Sequence, residues 1–152
     1  MVQNTSEVAA PSQTPGVGRV LVVVYAILAL AAVGRSVFQI IDRFGEAPVA
    51  FSLSALSGLV YIVATISLVA RGARWYRVAV VTISFELIGV LVVGSITVFA
   101  PHLIGLASND PFGRTATVWS SYGLGYLMIP VVLPILGLLY LRRRRPLPAA
   151  AG

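Results

Sequence analysis

Four apolar runs, at residues 20–41, 51–70, 78–100 and 122–141, fill most of this 152-residue chain. Coiled as α-helices at ~1.5 Å of rise per residue, each reaches about 30 Å or more, the thickness of a bilayer's hydrocarbon core. No water competes there for backbone N–H and C=O groups, so a lone apolar segment must satisfy them within itself, as a helix. The chain is therefore expected to be all-α, a four-helix polytopic transmembrane bundle. Only 11% of its residues are charged and 58% are hydrophobic. A soluble domain carries about a quarter charged residues, which leaves no room for a sizeable one beside the spans. Three regions follow. Residues 1–17, rich in Ser, Thr, Gln and Pro without a periodic apolar face, are expected to be a disordered cytoplasmic tail. Residues 18–141 form the transmembrane domain, and 142–152 a basic cytoplasmic tail.

The net charge is +6, and every basic residue is arginine. A basic chain suggests nucleic acid or anionic lipid as a partner. Here the arginines stand mostly at the ends of the apolar runs, where they set orientation. The expected partner is the lipid bilayer, and nucleic acid is not expected. Arg19 precedes the first run, Arg71, Arg74 and Arg77 separate the second from the third, and Arg142, Arg143, Arg144 and Arg145 follow the fourth. With four spans these eight arginines share one side, and the other side carries Arg43 and Arg114, offset by Asp42, Glu46 and Asp110. The bias predicts a multi-pass protein of the cell (plasma) membrane with both termini cytoplasmic. Trp75, Trp119, Tyr76, Tyr122 and Tyr140 fall near predicted span ends, where interfacial aromatic residues belong. Residues 20–33 also have the length of a signal-peptide core, and Ala29-Leu30-Ala31 resembles a cleavage site. The charge before them is weak and apolar character resumes after Arg35, which favours an uncleaved first span. The lack of Lys, with abundant Ala, Val and Gly, points to a GC-rich genome.

There is no Cys and one His. That excludes disulfides, thiolate chemistry and Cys-based metal sites, and nearly excludes a His-based one. Without Lys there is no Schiff-base chemistry and no phosphate-loop lysine. No HExxH or GxSxG motif occurs, and no two acids share a span at helical spacing. We expect no enzyme, no catalytic residue and no cofactor.

The chemistry-bearing residues inside the runs are few. Glu86 lies nine positions after Arg77, ~13 Å into the membrane and near its middle. A carboxyl at that depth must face protein or water, be paired, or be protonated. Tyr61, ten positions before Arg71 on the antiparallel second run, lies at matching depth. Ser54, Gly58, Tyr61 and Thr65 share one helical face, as do Thr82, Glu86, Gly89 and Val93. Small residues let helices approach and polar ones bond across the seam. These two faces are expected to pack together, with Tyr61 and Thr65 as candidate partners of Glu86. Arg35 lies ~24 Å up the first run, ~10 Å beyond Glu86, with Gln39 on its face. Arg35 either pairs with Glu86 inside the bundle or reaches out to the headgroups. Glu86 either packs and assembles helices or carries a proton.

The connection at 42–50 is a short turn broken by Gly45 and Pro48, and that at 101–121 is expected to lie on the membrane surface, with a turn at Ser108-Asn109-Asp110-Pro111. In the fourth run Pro130 and Pro134 share a face, and each should remove a hydrogen bond and bend the span. Gly34-Arg35-Ser36-x-x-Gln39, Glu46-Ala47-Pro48-x-Ala50-x-x-Leu53-Ser54 and Tyr61-x-x-Ala64-Thr65 resemble small four-span membrane proteins of actinobacteria over residues 18–141. That resemblance implies the four-span topology and a high-GC origin, and brings no catalytic residues with it. The expected function is a non-enzymatic accessory or assembly subunit, with a membrane-protein partner or as a homo-oligomer. The alternative is a small transporter or proton-linked channel centred on Glu86. A weaker third use is lipid sensing by the arginines at 142–145.

Overall fold

The computed structural model describes residues 16–106 and 114–144. Residues 1–15 of the tail expected to be disordered over 1–17, the turn at 108–111, and Arg145 with the residues after it lie outside the described residues, while Gly16 and Val17 of that tail begin a helix. Among the described residues the fold is all-α, built on three long helices: α1 (Gly16–Arg43), α2 (Pro48–Val69) and α3 (Ala73–Phe99). Each is long and apolar enough to cross a membrane. A shorter helix, α4 (Ile129–Arg143), follows. The chain is a multi-pass membrane protein.

Local sequence explains the ends of these helices. Pro48 occupies the first turn of α2, where a missing N–H costs nothing. Gly72, at φ +112°, supplies the tight reversal between α2 and α3. The helices present unbroken apolar stripes outward, including Ile27, Leu30 and Ile41 on α1 and Val81, Phe85 and Ile88 on α3. Polar and small residues turn inward: Ser36, Gln39, Ser54, Ser57, Glu86 and Thr97 are all buried. A soluble bundle has the reverse arrangement, so the outer surface fits lipid.

The fourth run is bent, as expected, but not where the prolines would bend it. Residues Ser120–Tyr126 form short 3-10 turns, and their axis meets α4 at 97°. Tyr122 packs against Gly94, while the Leu141 carbonyl accepts a hydrogen bond from Tyr76. Those two contacts are ~27 Å apart along α3, so the bent pair still traverses the bundle. The prolines are not the cause of the break. Pro130 starts α4, and only Pro134 lies inside it. The break lies upstream, where Ser121, Tyr122, Gly123, Leu127 and Met128 all have φ between 49° and 78°. Four of these are not glycine, and each left-handed side-chain-bearing residue costs roughly 1–2 kcal/mol.

Glycines decide what fits beside this irregular segment. A Cβ on Gly94 would stand 2.7 Å from the Tyr122 backbone nitrogen, and one on Gly89 would stand 2.8 Å from the Trp119 ring. Gly58 receives the α1 backbone at Ala32 and Val33. The small-residue faces of α2 and α3 were expected to meet each other. α2 and α3 do pack together, but Gly58 admits α1 and Gly89 admits an aromatic ring from the fourth segment.

The counted arginines gather at one end. Arg71, Arg74 and Arg77 are exposed around the α2–α3 turn, and Arg142, Arg143 and Arg144 end α4. Tyr140 packs against Gly18, which brings the start of α1 to the same end. At the opposite end Arg43 pairs with its neighbour Asp42 at 3.1 Å. The 3-10 turn Pro101–Ile104 folds over that end and seats Gly105 against Ala47.

Two glycine positions should respond oppositely to an added methyl group. Gly94→Ala should destabilise the protein by about 1–3 kcal/mol through overpacking against fixed backbone. Gly34→Ala, where no atom lies within 4 Å of the new Cβ, should be neutral or slightly stabilising by helix propensity. Thermal unfolding of the two variants in mild detergent separates these outcomes.

Candidate functional site

Glu86 stands at the midpoint of α3 and is completely buried. A carboxyl removed from water costs several kcal/mol unless it is hydrogen-bonded or neutralised. The structure supplies one partner: the Tyr25 hydroxyl on α1 donates to Glu86 Oε2 at 2.8 Å. Glu86 Oε1 is buried and has no hydrogen-bond partner among the described residues. Tyr25 is itself fully buried, and its ring packs on that of Tyr61, 6.2 Å between centroids. Tyr61 on α2 accepts a hydrogen bond from the Trp119 indole N–H at 3.0 Å. One residue from each of four segments thus meets at mid-bundle: Tyr25, Tyr61, Glu86 and Trp119.

Trp119 reaches this point because its own turn satisfies its polar groups locally. Ser120 Oγ accepts from the Thr117 backbone N–H at 2.8 Å, and Thr117 Oγ1 accepts from the Trp119 N–H at 3.1 Å. Gln39 on α1 anchors the approach, donating from Nε2 to the carbonyls of Arg114 and Ala116 at 3.2 and 3.4 Å. Non-helical backbone survives at membrane depth only where protein or a polar cavity surrounds it. Here residues 116–121 are all buried.

The expected site residues divide as follows. Tyr61 joins the Glu86 cluster, as ring neighbour of Tyr25, while the hydrogen bond to Glu86 comes from Tyr25. Thr65 is not a partner of Glu86: its hydroxyl donates to the Tyr61 carbonyl of its own helix at 2.7 Å. Arg35 does not bond Glu86 either. It is half-buried on α1, ten residues beyond Tyr25, and that axial offset of ~15 Å separates it from the carboxyl's partner. Gln39 is buried as part of the Arg35 face and ties down the fourth segment. Of the expected interfacial aromatics, Trp75 is exposed at the arginine end, and Trp119 is instead 1% exposed in the core. Tyr140 fits the interfacial assignment, with the Arg144 guanidinium 4.9 Å over its ring.

Tyr25 was not among the expected site residues, and Trp119 was expected at the membrane interface. A depth count would have found Tyr25, which lies ~9 Å above Arg19 on a span parallel to α3. Trp119 left no such signal, because its depth depends on the unwound backbone around it. Among the described residues no cluster of His, Cys, Asp or Glu comes together to hold a metal ion. In comparisons with known proteins, no family model, no curated protein and no solved structure matches this chain.

The two assignments for Glu86 differ in what mutation does. Tyr25→Phe leaves a buried carboxyl without its donor and should cost about 1–3 kcal/mol. Thr65→Val touches only an intrahelical bond and should stay within roughly 0.5 kcal/mol. Detergent unfolding of both variants would reverse the assignment if Thr65→Val proved the more damaging.

Proposed function

We propose that this chain is a non-enzymatic accessory or assembly subunit of a larger membrane complex, held in the plasma membrane with both termini cytoplasmic. The observation that supports it most is the direction of its polar groups. Glu86, Tyr25, Tyr61 and Gln39 bond across segments inside the bundle, Thr117 and Ser120 close the turn that carries Trp119, and the broad outer faces of α1 and α3 are apolar. Such a frame spends its polar chemistry on fixing four segments in register, and offers its surface to lipid and to apolar helices of a partner. The clustering of Arg19, Arg71, Arg74, Arg77 and Arg142 to Arg144 at one end supports the orientation. A high-GC, actinobacterial origin remains part of this proposal.

A second reading, proton-linked transport, is favoured by one specific observation. Glu86 keeps one carboxyl oxygen bonded and the other buried without a partner. A residue serving only as glue gains by satisfying both.

Glu86→Gln separates the two. The amide still accepts from Tyr25, so an accessory subunit should keep its fold and its complex. A mild-detergent pull-down of the tagged protein, followed by mass spectrometry, should then recover the same stoichiometric membrane partner from wild type and variant. A clean homo-oligomer without partner in both would overturn the accessory proposal, and loss of proton flux in Glu86→Gln proteoliposomes would put the second reading in its place.

A further inference from the structure

Buried polar atoms without partners are not spread evenly through the bundle. Besides Glu86 Oε1 they include Ser54 Oγ and Gln39 Oε1. Ser54 lies ~10 Å from Tyr61 along α2, on the side away from the arginines, and Gln39 lies ~20 Å from Tyr25 along α1 on that same side. Both residues are buried, Ser54 completely. The unwound segment occupies this half too, bringing the hydroxyls of Thr117 and Ser120 and the non-helical backbone around them. Membrane proteins tolerate unwound backbone beside polar cavities, and broken helices commonly border ion and proton sites.

The other half is different. Between Glu86 and the arginine end the interior is filled by Leu21, Ala79, Ile83, Leu133 and Leu141, all buried. Its buried polar side chain Ser67 is satisfied within its own helix, donating to the Ala64 carbonyl at 3.0 Å.

We propose that Glu86 is a proton-binding site reached from one side only: the half of the bundle closed by the α1–α2 turn, along Gln39, Ser54 and the unwound segment at 117–123. The inference rests on the second, proton-linked reading of Glu86. A hydronium arriving along this route gives its proton to Oε1, leaving water and a neutral carboxylic acid that still accepts from Tyr25 through Oε2. Release runs the same path backwards, and the apolar half blocks passage to the arginine side in this conformation. The titratable groups facing Glu86 are Tyr25 from α1 and Tyr61 from α2, with Tyr126 of the fourth segment beyond Tyr61. From α4 the side chains packed inward are Pro130, Leu133, Pro134 and Leu141, which do not titrate.

The chain has no cysteine, so sidedness can be read cleanly. Single Glu46→Cys and Arg74→Cys variants, labelled with an impermeant maleimide, report the orientation of the full-length protein in liposomes. The proton on Glu86 is followed by the infrared C=O band of its protonated carboxyl, assigned by its loss in Glu86→Gln. The pH is then changed in one compartment at a time. The expected result is a band that follows pH on the Glu46 side and ignores pH on the Arg74 side, with slower exchange in Ser54→Ala and in Gln39→Leu. A band that follows neither compartment would overturn the proton-linked reading itself. A band that follows the Arg74 side, or both sides equally, would overturn only the one-sided route. So would unchanged exchange in Ser54→Ala, a variant that removes no hydrogen bond to another segment and should fold normally.

Discussion

A carboxyl group at the middle of a membrane bundle sets terms for everything around it. Glu86 is completely buried at the centre of α3, and its hydrogen bond among the described residues comes from a neighbouring helix. The Tyr25 hydroxyl is the donor, and Tyr25 in turn needs a packed aromatic neighbour at its back, which is Tyr61. The Tyr61 hydroxyl is buried as well and takes the indole N–H of Trp119. Each satisfied group thus brings another segment inward, until four segments are tied at one depth by two hydrogen bonds and a ring contact.

The price of that arrangement falls on the fourth segment. A regular helix from Tyr122 onward would carry its side chains past the cluster without placing an indole ring against Gly89. The chain instead unwinds, accepts four non-glycine residues in left-handed conformation, and resumes as a helix only at Ile129. Strain of this kind persists only when surrounding contacts over-determine it. Those contacts are present: Gln39 holds the entry, Thr117 and Ser120 close the turn, Gly89 and Gly94 make room for the rings of Trp119 and Tyr122, and Pro130 restarts the helix. The strained segment and the incompletely satisfied side chains of Ser54 and Gln39 lie on the same side of Glu86, away from the arginines. Among the described residues, the interior on the arginine side of Glu86 is lined mainly by apolar side chains.

Specificity among helices in lipid comes from shape and hydrogen bonds, since apolar surface is as content against lipid as against protein. This explains why the expected α2–α3 seam, read from small and polar residues at three- and four-residue spacing, holds where Tyr61 meets Glu86 but not at the glycines. Small residues mark where something approaches closely, and not what approaches. Gly58 does admit a helix, but it is α1, and Gly89 admits a ring. The same holds for Thr65, whose hydroxyl finds its own helix's carbonyl before it can reach across a seam.

What the sequence determined by itself was the solvent and the local geometry it enforces. Apolar runs of this length in a chain with so few charges must be helical and membrane-embedded, and the depth of Glu86 and Tyr61 follows from counting 1.5 Å steps. The grouping of arginines at one end was legible for the same reason, because charge is confined to the ends of spans. What only the tertiary structure decided was where regular geometry stops. The break before α4, the inward turn of Trp119 and the choice of Tyr25 as partner to Glu86 depend on contacts between segments far apart in the chain. No local pattern records them, because Ser121, Tyr122, Leu127 and Met128 have no intrinsic preference for left-handed backbone and adopt it only under the packing around them.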